Sequence, residues 1–202
     1  MNTLKKIALL GLIAASQFAS AAVVTFNSAR DNRYFSGNVT SDGFTAAGAN
    51  YQGTFSNFDG MGQTNGSIYY GIWNNGQQNS AAFTLTAVDN SLFSLSSFDF
   101  DNAYRNGRMR TSFLTLIGTK SDDSTITTTF LNLQDTLDWT TLAVQSDFSG
   151  LKSVSFTASG DPSTRALFDN IVVNAVPEPT SLALVGLALM GLVWSRKKQQ
   201  QG

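Results

Sequence analysis

Apolar and hydroxyl residues alternate one by one along much of the middle of this chain, and this period of two constrains its fold more than any other feature. In residues 82–88, Phe83, Leu85 and Ala87 share one side and Thr84 and Thr86 the other. In 124–132, Ile126, Thr128 and Phe130 oppose Thr125, Thr127 and Thr129. In 152–158, Val154, Phe156 and Ala158 oppose Ser153, Ser155 and Thr157. Successive side chains on opposite faces are what a half-buried strand requires. The segment 167–174 closes the series, and 23–26, 44–51, 68–73, 92–100 and 112–119 read as further strands. That makes about nine or ten, with no amphipathic run of helix length among them. Turn formers separate them at 118–123, Asn106-Gly107, Asn65-Gly66 and Gly160-Asp161-Pro162. Residues 57–78, dense in Gly, Asn and Gln, read as a long loop followed by one strand. The pattern predicts an all-β fold over residues 22–175, a jelly-roll-like β-sandwich.

The two ends are built differently. Lys5 and Lys6 precede an apolar run over 7–15, and Ala19-Ser20-Ala21 follows with the small-x-small spacing of a signal-peptidase site. Residues 1–21 therefore read as a signal peptide, with cleavage after Ala21 first and after Ala22 second. At the other end, 180–195 is uncharged and almost wholly apolar, and Arg196, Lys197 and Lys198 close it. Sixteen helical residues reach about 24 Å, short of the roughly 30 Å hydrocarbon core. Local thinning and snorkelling of the three cations make up the difference. A single transmembrane helix is expected there. The basic cluster stays cytoplasmic and the β domain lies outside, in agreement with the signal peptide.

Charge and missing residue types remove several functions. The formal net charge is −1, but five of the thirteen Lys and Arg lie in the end segments, so 22–178 carries eight of them against all fourteen acidic residues, a net −6. Such a domain repels phosphate backbones, and no nucleic-acid partner is expected. The chain has no cysteine and no histidine. That excludes a Ser-His-Asp triad, a cysteine nucleophile and a zinc site of the usual ligands. Its one glutamate, Glu178, lies outside the predicted domain.

Just before the apolar segment stands Val176-Pro177-Glu178-Pro179. Two prolines around one Glu hold the backbone extended and remove two amide donors, leaving it open to a processing enzyme. Pro177-Glu178-Pro179, an apolar helix and Arg196-Lys197-Lys198 together, over 176–202, resemble the PEP-CTERM sorting signal of Gram-negative bacteria. The resemblance implies recognition by an exosortase, a cut near the Pro-Glu-Pro motif, transient residence in the inner membrane, and delivery to the cell surface or extracellular matrix. It also implies a producer of biofilm or exopolysaccharide. Residues 93–174 resemble the carbohydrate-binding-module-like domains of such proteins. The likeness is carried by Phe98-Asp99-Phe100-Asp101-Asn102, Leu114-Thr115-Leu116-Ile117-Gly118, Phe148-Ser149-Gly150-Leu151 and Phe168-Asp169-Asn170-Ile171-Val172-Val173.

Three chemistries are candidates for the domain. Asp99, Asp101 and Asn102, echoed by Asp169, offer hard oxygen ligands for a structural calcium ion. The same residues also serve as turn formers and side-chain-to-backbone partners. Tyr69, Tyr70 and Trp73 form the best cluster for stacking on sugar rings of an extracellular polysaccharide, unless the core claims them. Asp99 and Asp101 are also the basis of the alternative, a secreted carbohydrate-active enzyme using Asp. A non-enzymatic surface or matrix protein is the expected function. Processing has a direct check: the intact mass of protein from culture medium should lack residues 1–21 and everything beyond the Pro-Glu-Pro motif. Full-length mass in every fraction would refute both cuts.

Overall fold

The computed structural model describes residues 21–27, 32–35, 38–48, 51–55, 69–73, 80–102, 111–133, 138–160 and 165–175. Residues 1–20 of the expected 1–21 signal peptide, the Pro177-Glu178-Pro179 motif, the 180–195 segment and the Arg196-Lys197-Lys198 cluster lie outside them. Every regular element among the described residues is a strand: β1 (Ala21–Val24), β2 (Asn32–Phe35), β3 (Val39–Ser41), β4 (Phe44–Gly48), β5 (Tyr51–Phe55), β6 (Tyr69–Trp73), β7 (Ser80–Ala87), β8 (Phe93–Asn102), β9 (Thr111–Lys120), β10 (Thr125–Leu131), β11 (Thr140–Ala143), β12 (Leu151–Gly160) and β13 (Arg165–Ala175). Among the described residues no helix is long and apolar enough to cross a membrane.

All pairings are antiparallel, and they resolve into two sheets. The first runs β2-β5-β6-β13-β8-β11, with β1 beside β13 beyond the end of β6. The second runs β3-β4-β7-β12-β9-β10. One bridge, Leu151 to Phe93, joins them at a corner. The last eight strands place β6-β13-β8-β11 opposite β7-β12-β9-β10, which is the jelly-roll order. The earlier strands widen each sheet at one edge.

Phenylalanine fills the space between the sheets. Phe83 of β7 and Phe156 of β12 are cross-strand partners, stacked at 4.6 Å between ring centroids. Phe168 of the first sheet meets Phe83 edge-on at 5.0 Å and Phe156 at 5.5 Å. Phe98, also of the first sheet, meets Phe156 at 5.3 Å and Phe130 of β10 at 5.8 Å. Edge-to-face contacts of this kind add to the burial of ring area. Gly118 is the inward residue where Leu151 and Phe148 come closest. A β-carbon there would lie 2.8 Å from Leu151 Cδ2 and 3.3 Å from Phe148 Cδ1.

The observed strands depart from the sequence reading where side chains compete for the core. The expected 44–51 strand is two, β4 in the second sheet and β5 in the first. The first strand ends at Val24, because Phe26 takes a positive φ of 55° and folds its ring onto Tyr70, 5.3 Å away. β9 runs through Gly118 to Lys120, so the turn to β10 narrows to 121–124. There Asp122 accepts hydrogen bonds from the Ser124 hydroxyl at 2.6 Å and amide at 3.0 Å, which hold its carboxyl below the usual carboxylate range. The Asp42-Gly43 turn, with φ of 51° and 80°, closes the β3–β4 hairpin, as expected for this dipeptide.

Two substitutions bracket the core from opposite sides. Phe156→Ala should cost about 3–5 kcal/mol, measured by denaturant unfolding, because it empties the centre of the ring cluster. Gly118→Ala should cost about 1–3 kcal/mol by overpacking. A neutral result at either position would contradict this packing.

Candidate functional site

The outer face of the first sheet gathers the chemically distinctive residues, and strand parity explains why. In β8, Phe98 and Phe100 are fully buried in the core, so the intervening Asp99 and the following Asp101 belong to the opposite face. In β13, Ala166 and Phe168 enter the core, which sends Leu167 and Asp169 outward; Leu167 is buried yet lies outside the core cluster. Asp99 pairs with Asp169, and Asp101 with Leu167.

Two carboxylates directly opposite on neighbouring strands are normally unfavourable. Asn170 reconciles them. It sits at a register shift in β13 with φ of 46°, a left-handed conformation that asparagine tolerates. From there its amide Nδ2 donates to Asp99 Oδ2 at 2.8 Å and its backbone N–H donates to Asp169 Oδ1 at 2.8 Å. Thr141 Oγ1 of β11 donates to the other Asp99 oxygen at 2.6 Å. Asp101 and Asp169 are fully buried.

Both Asp99 oxygens already accept hydrogen bonds. Asn102 points inward: its Oδ1 accepts the Thr111 N–H at 3.0 Å, and its Nδ2 donates to the Leu133 carbonyl. Among the described residues no three acidic side chains converge on one point. Asp99 and Asn102 thus engage these side-chain atoms in hydrogen bonds within the protein. Asn102 takes the backbone-bonding role that sequence left open beside the ligand role.

The aromatic cluster divides between two faces. Tyr70 is fully buried, 4.9 Å from Phe83, and burial pushes its phenol well above the usual range. It is a core residue and presents no ring to a sugar, which corrects the expectation for it. Ile72 is buried as well, and so is Gly71 between them. Register then adds residues that the sequence reading missed. Tyr51 pairs with Trp73, Gly53 with Gly71, and Phe55 with Tyr69. Trp73 also pairs with Arg165, and Gly71 with Leu167. Two aromatic rows therefore flank a row of glycines, beside the acidic residues of β13 and β8. The spacing of Tyr51 and Phe55, four apart in one strand, was a signal available in the sequence.

Residues 175–197 match the PEP-CTERM protein-sorting motif. The chain is an exported protein with a C-terminal, membrane-anchored sorting signal. No curated protein matches it in sequence. Among solved structures it is similar to a family 29 carbohydrate-binding module at 17% identity, covering 77% of this chain and 88% of that one, with a TM-score of 0.48. An engineered variant of such a module matches at 17% identity over 77% and 92% of the two chains, with a TM-score of 0.48. A variant complexed with cellulohexaose matches at 17% over 79% and 93%, with a TM-score of 0.46.

The bridging role of Asn170 is separable by two variants. Asn170→Gly keeps the positive φ and removes the side-chain donor, an expected loss of about 1–3 kcal/mol. Asn170→Ala adds the left-handed penalty of roughly 1–2 kcal/mol. Equal stability of wild type and both variants would show that the carboxylates need no bridge.

Proposed function

We propose, from the premise of a chain exported under a PEP-CTERM sorting motif, that the mature protein is a non-enzymatic surface or matrix protein that holds extracellular polysaccharide on the outer face of its first sheet. One observation carries this: the register that sets Tyr51 beside Trp73 and Phe55 beside Tyr69, with Gly53 and Gly71 between. Glycine at both positions of the middle pair puts no side chain between the two aromatic pairs of this register. Rings offer flat apolar faces for sugar C–H surfaces, and Arg165 is the register partner of Trp73. The net −5 charge of residues 22–175, eight basic against thirteen acidic, favours a neutral or cation-bridged glycan over a strongly acidic one.

Delivery follows from the ends of the chain. Signal peptidase would remove 1–21, leaving Ala22–Val24 of β1 paired with β13 through Val173, Val172 and Ile171. An exosortase would act at Pro177–Pro179, just beyond β13, which ends at Ala175. The inner membrane holds the chain only in transit, and an exopolysaccharide matrix or biofilm is the destination that suits a glycan-holding domain.

Hydrolysis by Asp99 and Asp101 is the weaker alternative. Asp101 is enclosed, and Asp99 is engaged by Thr141 and Asn170, so neither is free to transfer protons to a glycosidic oxygen. Retention on the producer's own matrix polysaccharide separates the two. Wild type should be retained without shortening the glycan. Trp73→Ala and Tyr51→Ala should each weaken retention about tenfold or more, the loss of an interfacial aromatic worth ~1.4 kcal/mol or above. Tyr70→Ala should lower the melting temperature instead. Unchanged retention in both outer-face variants, or glycan shortening, would sink this function.

A further inference from the structure

The second sheet has an outer face of another kind. Thr40, Thr45, Thr86, Ser153, Thr119 and Thr125 lie in one register row across all six of its strands. Among the described residues that face ends at β10, which pairs with β9 alone. Free edges are normally blunted by shortness, irregularity, proline or charge. The other edges follow this rule: β3 has three residues, β11 has four, and β2 has four with a register shift. β10 has seven residues, Thr-Ile-Thr-Thr-Thr-Phe-Leu, with no charge, proline or glycine, and its ladder to β9 runs without a shift.

The phase of that ladder shows which groups face the open side. Lys120 N–H donates to the Ser124 carbonyl at 2.9 Å. Hydrogen-bonded pairs alternate in an antiparallel ladder, so Ile126, Thr128 and Phe130 bond toward β9. Thr125, Thr127, Thr129 and Leu131 turn their N–H and C=O groups away from it. Exposed apolar side chains gather at the same place: Leu131 is 67% exposed, its cross-strand partner Phe113 41%, and Ile117 38%.

We infer that β10 is a self-association edge, at which a second copy of this chain adds its own β10 antiparallel. The strand is self-complementary about Thr128. A two-fold axis there sets Ile126 against the partner's Phe130, Thr127 against the partner's Thr129, and Thr125 against the partner's Leu131. Ile126 thus meets Phe130 inward and Thr127 meets Thr129 outward, Thr125 lies against the exposed Leu131 at each end, and the outward-turned backbone groups of 125, 127, 129 and 131 find partners. No charge opposes another across the seven pairs, although the domain as a whole is acidic. The second sheet then continues from one copy into the next, which suits an extracellular matrix component.

The chain has no cysteine, so a single introduced one reports cleanly. Thr128 would face its own copy as a non-hydrogen-bonded pair, with α-carbons about 4.5 Å apart, within disulfide reach. The full chain carrying Thr128→Cys, exported and mildly oxidised, should give a disulfide dimer as its main product. Ser155→Cys, at mid-sheet, should stay monomeric. Adding Thr127→Lys and Thr129→Lys to Thr128→Cys should abolish the dimer without lowering the melting temperature. Sedimentation of the unsubstituted chain in mild detergent should show a mass that doubles with concentration. A strictly monomeric wild type, or cross-linking at Thr128→Cys no greater than at Ser155→Cys, would overturn the inference.

Discussion

Contact between the phenylalanines of the two sheets is the constraint on which the rest depends. Phe83, Phe98, Phe156 and Phe168 come from four strands and meet at 4.6–6.1 Å. Sliding any one of these strands by a single residue would turn its phenylalanine to the outside. Each ring fixes the parity of its strand, and parity decides what stands on the outer faces. Asp99 is outside because Phe98 and Phe100 are inside. Asp169 is outside because Phe168 is inside. In β12 and β7 the same rule sends serine and threonine to the surface of the second sheet.

The parity is not uniform along the central strands. In β8, Phe93 and Leu95 face the core, and so do Phe98 and Phe100; in β13, Ala166 and Phe168 are matched by Ile171 and Val173. Each strand changes phase once, through the register shifts between them. A shift places an extra residue, and in β13 that residue is Asn170. The irregularity that lets both halves of β13 bury apolar side chains also positions the amide that keeps Asp99 and Asp169 compatible. Core packing and the outer-face network are thus joined at one residue.

The two outer faces differ in chemistry as a consequence. The first combines aromatic positions, glycines and enclosed carboxylates; the second carries a row of hydroxyl residues across its six strands as far as β10.

Local chemistry was legible without coordinates. Alternation in β7, β10 and β12 named both the strands and their buried faces, because a period of two is a local property of the chain. The sorting motif was equally plain, being a linear signal that a processing enzyme reads unfolded. The roles of Asn170, Asn102 and Tyr70 were not. Asparagine after aspartate reads as a turn former, and a tyrosine between Tyr69 and Trp73 reads as part of one aromatic cluster. Only the pairing of β13 with β8 brings Asn170 between two carboxylates 71 and one residues away in sequence. Only the sheet separates Tyr70 from its neighbours, and only the strand order leaves β10 at an edge. Alternation tells each strand which residues share a face, but which face meets the core, and which strand has no neighbour, are set by contacts between distant segments.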